Sequence, residues 1–312
     1  MNVVRTAAVL AACAAAATLT GCGHAAAGKP LAIGAPRSLP ASRSSRIAVI
    51  VMENKEAPAV IGSPAAPYAT SLARRYGLAT HSYAITHPSL PNYLALTSGS
   101  TDGISSDCSS CRVGARNLVD QLESAGVSWR AYLEDYPGGC FAGAAAGGYA
   151  AKHNPFIHYA DVADNPARCR ALVSFGALAA DLRRGRLPTF AWITPNLCDD
   201  THDCPVATGD RFLARTVPSL LREVGPHGFV VVTWDEGSSG AGCCAGDAAG
   251  GAIATIVAGP SVRPGARERA AVNHYGVLAT IERALALPEL AGAARARSGS
   301  LDPLFASPPR VR

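Results

Sequence analysis

Two apolar runs, Ile47–Met52 and Phe229–Trp234, constrain the fold of this chain more than any other feature. Neither alternates apolar with polar residues over its length, and only Thr233 interrupts them. Such runs fit strands covered on both faces, not strands with one wet side. Ala252–Ala258 and shorter stretches at 128–133 and 189–194 read as further strands. Helical spacing fills the intervals: 67–76, stopped by Gly77; 117–124, stopped by Gly126; Phe175–Arg184; 211–224, kinked at Pro218; and 275–287. This alternation predicts an α/β fold with helices on both sides of a mostly parallel sheet. Residues 137–150, mostly Gly and Ala, read as an irregular insertion, and one domain is expected over 47–290.

The two ends differ from that domain. Apolar residues make up 48% of the 312-residue chain and charged residues 16%, a balance that builds a core and excludes wholesale disorder. The net charge of +5 is unevenly spread: residues 47–290 hold 19 basic and 22 acidic side chains, so the surplus lies in the flanks. A nucleic-acid groove in the domain is therefore not expected, since it requires clustered phosphate-neutralising charge. Arg5 and the Ala-rich run 6–20 read as an export signal, too short to span a bilayer comfortably. The run ends in Leu19-Thr20-Gly21-Cys22, which resembles the lipobox of bacterial lipoproteins, with Cys22 as the lipidated residue. The expected organisation is a signal over 1–21, a flexible tether over 22–46, the domain, and a basic disordered tail over 291–312. The chain is then exported, and either anchored by lipid on the extracytoplasmic face of the cell membrane or secreted. No protein partner is implied.

Eight cysteines follow the tether: Cys108, Cys111, Cys140, Cys169, Cys198, Cys204, Cys243 and Cys244. An even number in an exported chain implies disulfides. Cys198 with Cys204 would staple one short loop, whereas vicinal Cys243 and Cys244 are expected to reach two different partners. Cys108-Ser-Ser-Cys111 has half of a zinc-site spacing, but no second pair follows at finger distance.

Polar residues collect where strands end, the edge at which open parallel sheets bind ligands. Glu53-Asn54-Lys55 follows the first strand, Asn196 to Asp203 the 189–194 strand, and Asp235-Glu236-Gly237 the Phe229–Trp234 strand. Carboxylates gathered with imidazole at one edge suit a divalent cation. Ser89, in Thr86-His-Pro-Ser-Leu-Pro-Asn-Tyr93, opens a helix-like run, and two roles fit it equally. It is either an N-cap or a hydroxyl nucleophile at the positive end of the helix, with Asn92 one turn on.

Taken together these segments are similar to the bacterial phosphoesterase family that holds phospholipases C and acid phosphatases, within the alkaline-phosphatase-like superfamily. The matching pieces are Val51 to Lys55, Thr86 to Tyr93, Lys152-His-Asn-Pro-Phe156, Ile193 to Asn196 with Asp199 to Asp203, Thr233 to Gly237, and Asn273-His-Tyr275. They follow the family's order, and they most resemble its short secreted acid phosphatases of actinobacteria. The resemblance implies an alkaline-phosphatase-like three-layer sandwich and metal-dependent hydrolysis of phosphomonoesters, phosphoinositides among them, with phospholipase C-like cleavage of phospholipid headgroups as the alternative. By position it implies Ser89 as nucleophile, Asn54 and Asn92 at the phosphate, and Glu53, Asn54, Asp235 and Glu236 at a metal; His153 is expected either to approach the phosphate or to hold a cap or loop. Asp200, His202 and His274 fall near the segments that supply a second metal in two-metal relatives. Their spacing differs, and Asn196 stands where Asp is common, so His202 and His274 have a second role open to them, on substrate or as proton donors. His87 is expected to orient the site or to serve structure; His81, His158 and His227 match no motif and read as surface or packing residues.

Overall fold

Alternate residues of a strand face opposite ways, so a strand with no polar positions needs cover on both sides. The computed structural model, which describes residues 44–295 and 297–311, provides that cover. The expected signal, most of the tether and Cys22 lie outside the described residues. Eleven strands are β1 (Ile47–Met52), β2 (Gly77–Tyr83), β3 (Trp129–Leu133), β4 (Ala145–Ala146), β5 (Tyr149–Ala150), β6 (Leu172–Ser174), β7 (Phe190–Thr194), β8 (Phe229–Trp234), β9 (Ala252–Ala258), β10 (Arg267–Glu268) and β11 (Val272–Asn273). The large sheet runs β10-β2-β9-β8-β1-β7-β3-β6, with β11 also pairing β2. From β8 to β6 all pairs are parallel, and β9 runs antiparallel to both its neighbours.

On β1, Ile47, Val49 and Val51 join one core and Ala48, Ile50 and Met52 the other, all fully buried. The first core packs helices Ser89–Ser98, Leu118–Ser124 and His274–Ala284 against the sheet; the second packs Pro67–Arg75, Phe175–Arg184 and Val206–Glu223. The result is a three-layer α/β/α sandwich. Each large aliphatic side chain so buried contributes roughly 1.5–3 kcal/mol. Helix Val206–Glu223 begins five residues before the expected start. Gly209 obscures it in sequence, but a Cβ there would meet Thr201 Cγ2 at 2.3 Å and Met52 Cε at 2.8 Å, so close packing demands glycine. Among the described residues no helix is long and apolar enough to cross a membrane.

Three expectations are corrected. The tail after residue 290 is not disordered over the residues described: Leu301 and Leu304 are fully buried, and the Phe305 ring sits edge-on to Phe229 at 4.8 Å. A basic composition hid three well-spaced apolar anchors. Leu304→Ala should therefore destabilise the protein by about 2–5 kcal/mol, read as a lowered denaturation midpoint, where a disordered tail would give no change. The insertion at 137–150 contains the β4–β5 hairpin and is tied down by a Cys140–Cys169 disulfide. Cys243 pairs with Cys244 rather than with distant partners, and the other six cysteines among the described residues pair as Cys108–Cys111, Cys140–Cys169 and Cys198–Cys204.

Candidate active site

Strand order decides which strand ends meet. β1 lies between β8 and β7, with Met52 opposite Trp234 and Ile50 opposite Ile193. The next residues along, Glu53 and Asp235, are therefore neighbours. On the other side the Glu53 amide donates to the Asp200 carbonyl at 2.8 Å, and Thr201 Oγ1 to the Glu53 carbonyl at 2.8 Å. Glu53, Asp200 and Asp235 are fully buried. Asn54 adopts a left-handed φ of 46°, which Asn tolerates better than most residues, and its amide N–H donates to Asp235 Oδ1 at 3.1 Å.

Ser89 is the first residue of its helix and Pro88 is the cap, so the hydroxyl does not cap its own helix. It points instead at Glu53 Oε2 (3.2 Å) and Glu236 Oε1 (3.3 Å) and is almost wholly buried. Of its two readings, the N-cap is thus removed by geometry. His87 hydrogen-bonds Glu236 Oε2 and the Ser239 carbonyl, the latter at 3.0 Å, and so orients Glu236. Tyr93, one turn along the helix from Ser89, donates to Glu53 Oε1. Asn92 departs from expectation: Oδ1 accepts from the Ile85 and Thr86 amides, and Nδ2 donates to the Thr86 and Pro88 carbonyls. With its amide so occupied it braces the loop that presents Ser89, rather than reaching a phosphoryl oxygen.

Burial dominates the electrostatics. It raises the Glu53 carboxyl well above its usual range, helped by Asp235 and Asp200. Burial, with Glu236 adding, pushes Asp235 up to about 7, and burial pushes Asp200 up to about 7. Burial works against the His87 imidazolium, but the Ser239 carbonyl and Glu236 outweigh it and the pKa rises. His153 goes the other way: burial, then Lys152 and His202, hold it well below its usual value.

A divalent cation fits this donor set. Glu53, His153 and Asp200 each offer one ligand atom, all within 4.8 Å of one another. His153 Nε2 is 3.2 Å from Glu53 Oε2 and its Nδ1 is 3.3 Å from Asp200 Oδ2, yet Nε2 and Oδ2 are buried without a hydrogen-bond partner. Beside them the Asn54 amide lies 2.7 Å from Glu53 Oε2 and 3.0 Å from Asp235 Oδ1. With nitrogen facing them it donates to both; with oxygen facing them, three oxygens converge as around a hard cation.

Not every expected residue joins this cluster. His202 stands at its edge, Nδ1 bonded to Asp203 Oδ1 at 2.6 Å and Nε2 to Lys152 Nζ at 3.1 Å, its ring 5.6 Å from that of His153. His274 lies behind the site, with Nε2 on the Asp235 carbonyl at 2.6 Å. Burial lowers its pKa to about 4, which favours the neutral ring whose Nε2–H donates to the Asp235 carbonyl. His158 is buried packing, as expected, and His81 and His227 are exposed. Sequence reasoning missed Tyr93, Lys152 and Asp107, although the first two stand inside quoted motifs.

Buried carboxylates at adjacent parallel strand ends, facing a hydroxyl at a helix start, stand at the edge of an alkaline-phosphatase-like fold. The fold resembles that of a Vibrio parahaemolyticus protein of the alkaline phosphatase superfamily (TM-score 0.53, 14% identity, covering 78% of this chain and 67% of that one). It also resembles murine ectonucleotide pyrophosphatase/phosphodiesterase 5 (TM-score 0.53, 11% identity, covering 80% and 96%). The chain belongs to the phosphoesterase family, whose profile matches residues 59–288. It is 34% identical over 249 residues to a phosphatidylinositol-3-phosphatase of Mycobacterium tuberculosis, covering 78% of each chain. An acid phosphatase of Aspergillus fumigatus is 30% identical over 225 residues, which are 68% of this chain but 49% of that longer enzyme. A phospholipase C A of Mycobacterium tuberculosis is 31% identical over 125 residues, 39% of this chain.

Proposed function

We propose that the protein is a metal-dependent phosphomonoesterase of the acid phosphatase kind that works through a phosphoserine on Ser89. The observation that carries this reading is the Ser89 hydroxyl, freed from capping and directed at Glu53 and Glu236 beside a buried carboxylate cluster. Glu53, Asp235 and Glu236 with Asn54, or Glu53, His153 and Asp200, would hold a divalent cation, which would supply positive charge favouring the serine alkoxide and offsetting phosphoryl charge. The chain's own groups do the rest. Ser89 Oγ passes its proton to the Glu236 carboxylate that accepts its hydrogen bond and attacks phosphorus in line while the ester P–O bond breaks. His202, held by Asp203, turns its Nε2 lone pair to Lys152, so the leaving alkoxide takes its proton from water. Water then cleaves the Ser89 O–P bond, phosphate leaves, and Ser89 regains its proton. Asn92 keeps Ser89 aimed through the 85–88 loop, and Tyr93 and His87 fix the two carboxylates. Positioning and charge are most of what phosphoryl transfer requires.

The four disulfides support export, because such bonds persist in oxidising compartments. Anchoring through Cys22 is part of the same proposal. The match to a phosphatidylinositol-3-phosphatase supports phosphoinositides among the substrates, and the shorter match to a phospholipase C supports a diesterase as the rival reading. The test is the purified, cation-loaded protein on an aryl phosphate, an aryl phosphodiester, a phosphoinositide and a phospholipid. Acid quenching during monoester turnover should leave phosphate on the Ser89 peptide, read by mass spectrometry. Release of phosphorylated headgroup with no monoester turnover would replace the proposal by the diesterase.

A further inference from the structure

We propose that Asp107 is a positioning residue that holds Lys152 beside Ser89, making Lys152 the chain's own cation for a phosphoryl or leaving-group oxygen. This rests on the phosphomonoesterase reading above. Asp107 stands immediately before the Cys108–Cys111 disulfide, in the loop after helix Ser89–Ser98. Its Oδ1 accepts the Leu90 amide N–H at 3.0 Å. The Pro88 cap provides no side-chain acceptor, so this distant carboxylate serves the start of the helix in its stead. Its other oxygen, Oδ2, accepts from Lys152 Nζ at 3.1 Å. One carboxylate therefore spans the residue after Ser89 and an ammonium, which puts that ammonium two hydrogen bonds from the helix start.

Lys152 is constrained from its other side as well. His202 Nδ1 donates to Asp203, which leaves Nε2 as the acceptor facing Lys152 Nζ. An ammonium has three N–H donors, and the third has no acceptor among the described residues. The Lys152 and Asp107 side chains are 24% and 27% exposed, so a substrate oxygen has access to that donor. The geometry of the loop is itself held. His158 bridges the Cys111 and Ala151 carbonyls at 3.0 and 3.1 Å, Val113 N donates to the His158 carbonyl at 2.8 Å, and Ala160 N to the Val113 carbonyl at 3.0 Å. The loop bearing Asp107 is thus fastened to the turn bearing Lys152 and His153. Without the carboxylate, the flexible four-carbon stem would leave the ammonium free to turn away to water.

The test is a double-mutant cycle in the full chain, with Asp107→Asn, Lys152→Met and the pair assayed on an aryl phosphate for kcat and KM, each variant's melting temperature being recorded. Asp107→Asn retains an oxygen for the Leu90 N–H but loses the charge that holds Lys152. Lys152→Met is expected to lower kcat/KM by about a hundredfold, and Asp107→Asn by about tenfold. The double variant should match Lys152→Met alone, and Lys152→Arg should recover part of the loss. Losses that multiply, or a Lys152→Met variant as active as wild type, would overturn the assignment. So would losses that merely follow lowered melting temperatures. Ser89→Ala in the same assay separates this from the broader reading: an inactive Ser89→Ala with an independent Asp107–Lys152 pair removes only the pair, whereas an active Ser89→Ala removes both.

Discussion

Ser89→Ala should lower kcat/KM for an aryl phosphate by about a thousandfold or more while leaving the melting temperature close to wild type. The size follows from the role: removing a covalent nucleophile eliminates the low-barrier route, and only binding and charge stabilisation remain. A thousandfold loss is about 4 kcal/mol in the transition state. Stability should change little, because the hydroxyl does not cap its helix and its acceptors are carboxylates that keep other partners: Tyr93 on Glu53 and His87 on Glu236. The acid-quenched variant should also carry no phosphoserine. A Ser89→Ala enzyme within tenfold of wild type would mean that another group, or water itself, attacks phosphorus.

Chelation should abolish turnover and, in the same samples, expose an unusual dependence of stability on pH. In the folded, metal-free chain Asp235 and Asp200 titrate at about 7 and Glu53 well above its usual range, against about 4 for unfolded carboxyls. The folded state therefore binds more protons than the unfolded state between these limits. The stability these groups contribute is complete below about pH 4 and is lost as pH rises through about 7. The metal-free protein should melt lower at pH 8 than at pH 5, on the order of 10 °C lower if the three act together. A bound divalent cation replaces the protons as counter-charge, so the loaded protein should show a smaller fall or none. Asp235→Asn should flatten part of the metal-free slope and depress turnover. Equal melting curves at both pH values in the chelated protein would remove the buried-carboxylate account.

How much of this was legible beforehand differs by layer. β1, β8 and β9 could be read to the residue because apolar runs broken at most by one threonine have one good solution, a strand covered on both faces. The segments bearing chemistry were legible for a related reason: carboxylates and amides directly after such strands lie at the sheet edge. Failures fell where composition stood in for contacts. The tail seemed disordered because Arg, Gly and Ser outnumber its anchors, yet Leu301, Leu304 and Phe305 find the core. Vicinal Cys243 and Cys244 pair with each other, and the other six described cysteines pair among themselves.

Sequence by itself determined the α/β class, five of the strands, the family and the short segments from which the site is drawn, since strand burial and local motifs are properties of neighbouring residues; β2 and the short strands escaped it. Only the tertiary structure decided which of those residues meet. Strand order β8-β1-β7 brings Asp235, Glu53 and Asp200 together from positions far apart in the chain. The same packing sets His274 on the Asp235 carbonyl, occupies Asn92 with backbone, and joins His153 to the carboxylates. It also brings Asp107 from a disulfide loop onto Leu90 and Lys152. Spacing along a chain carries no information about such contacts, because they depend on how sheet order and loop closure align groups that sequence separates.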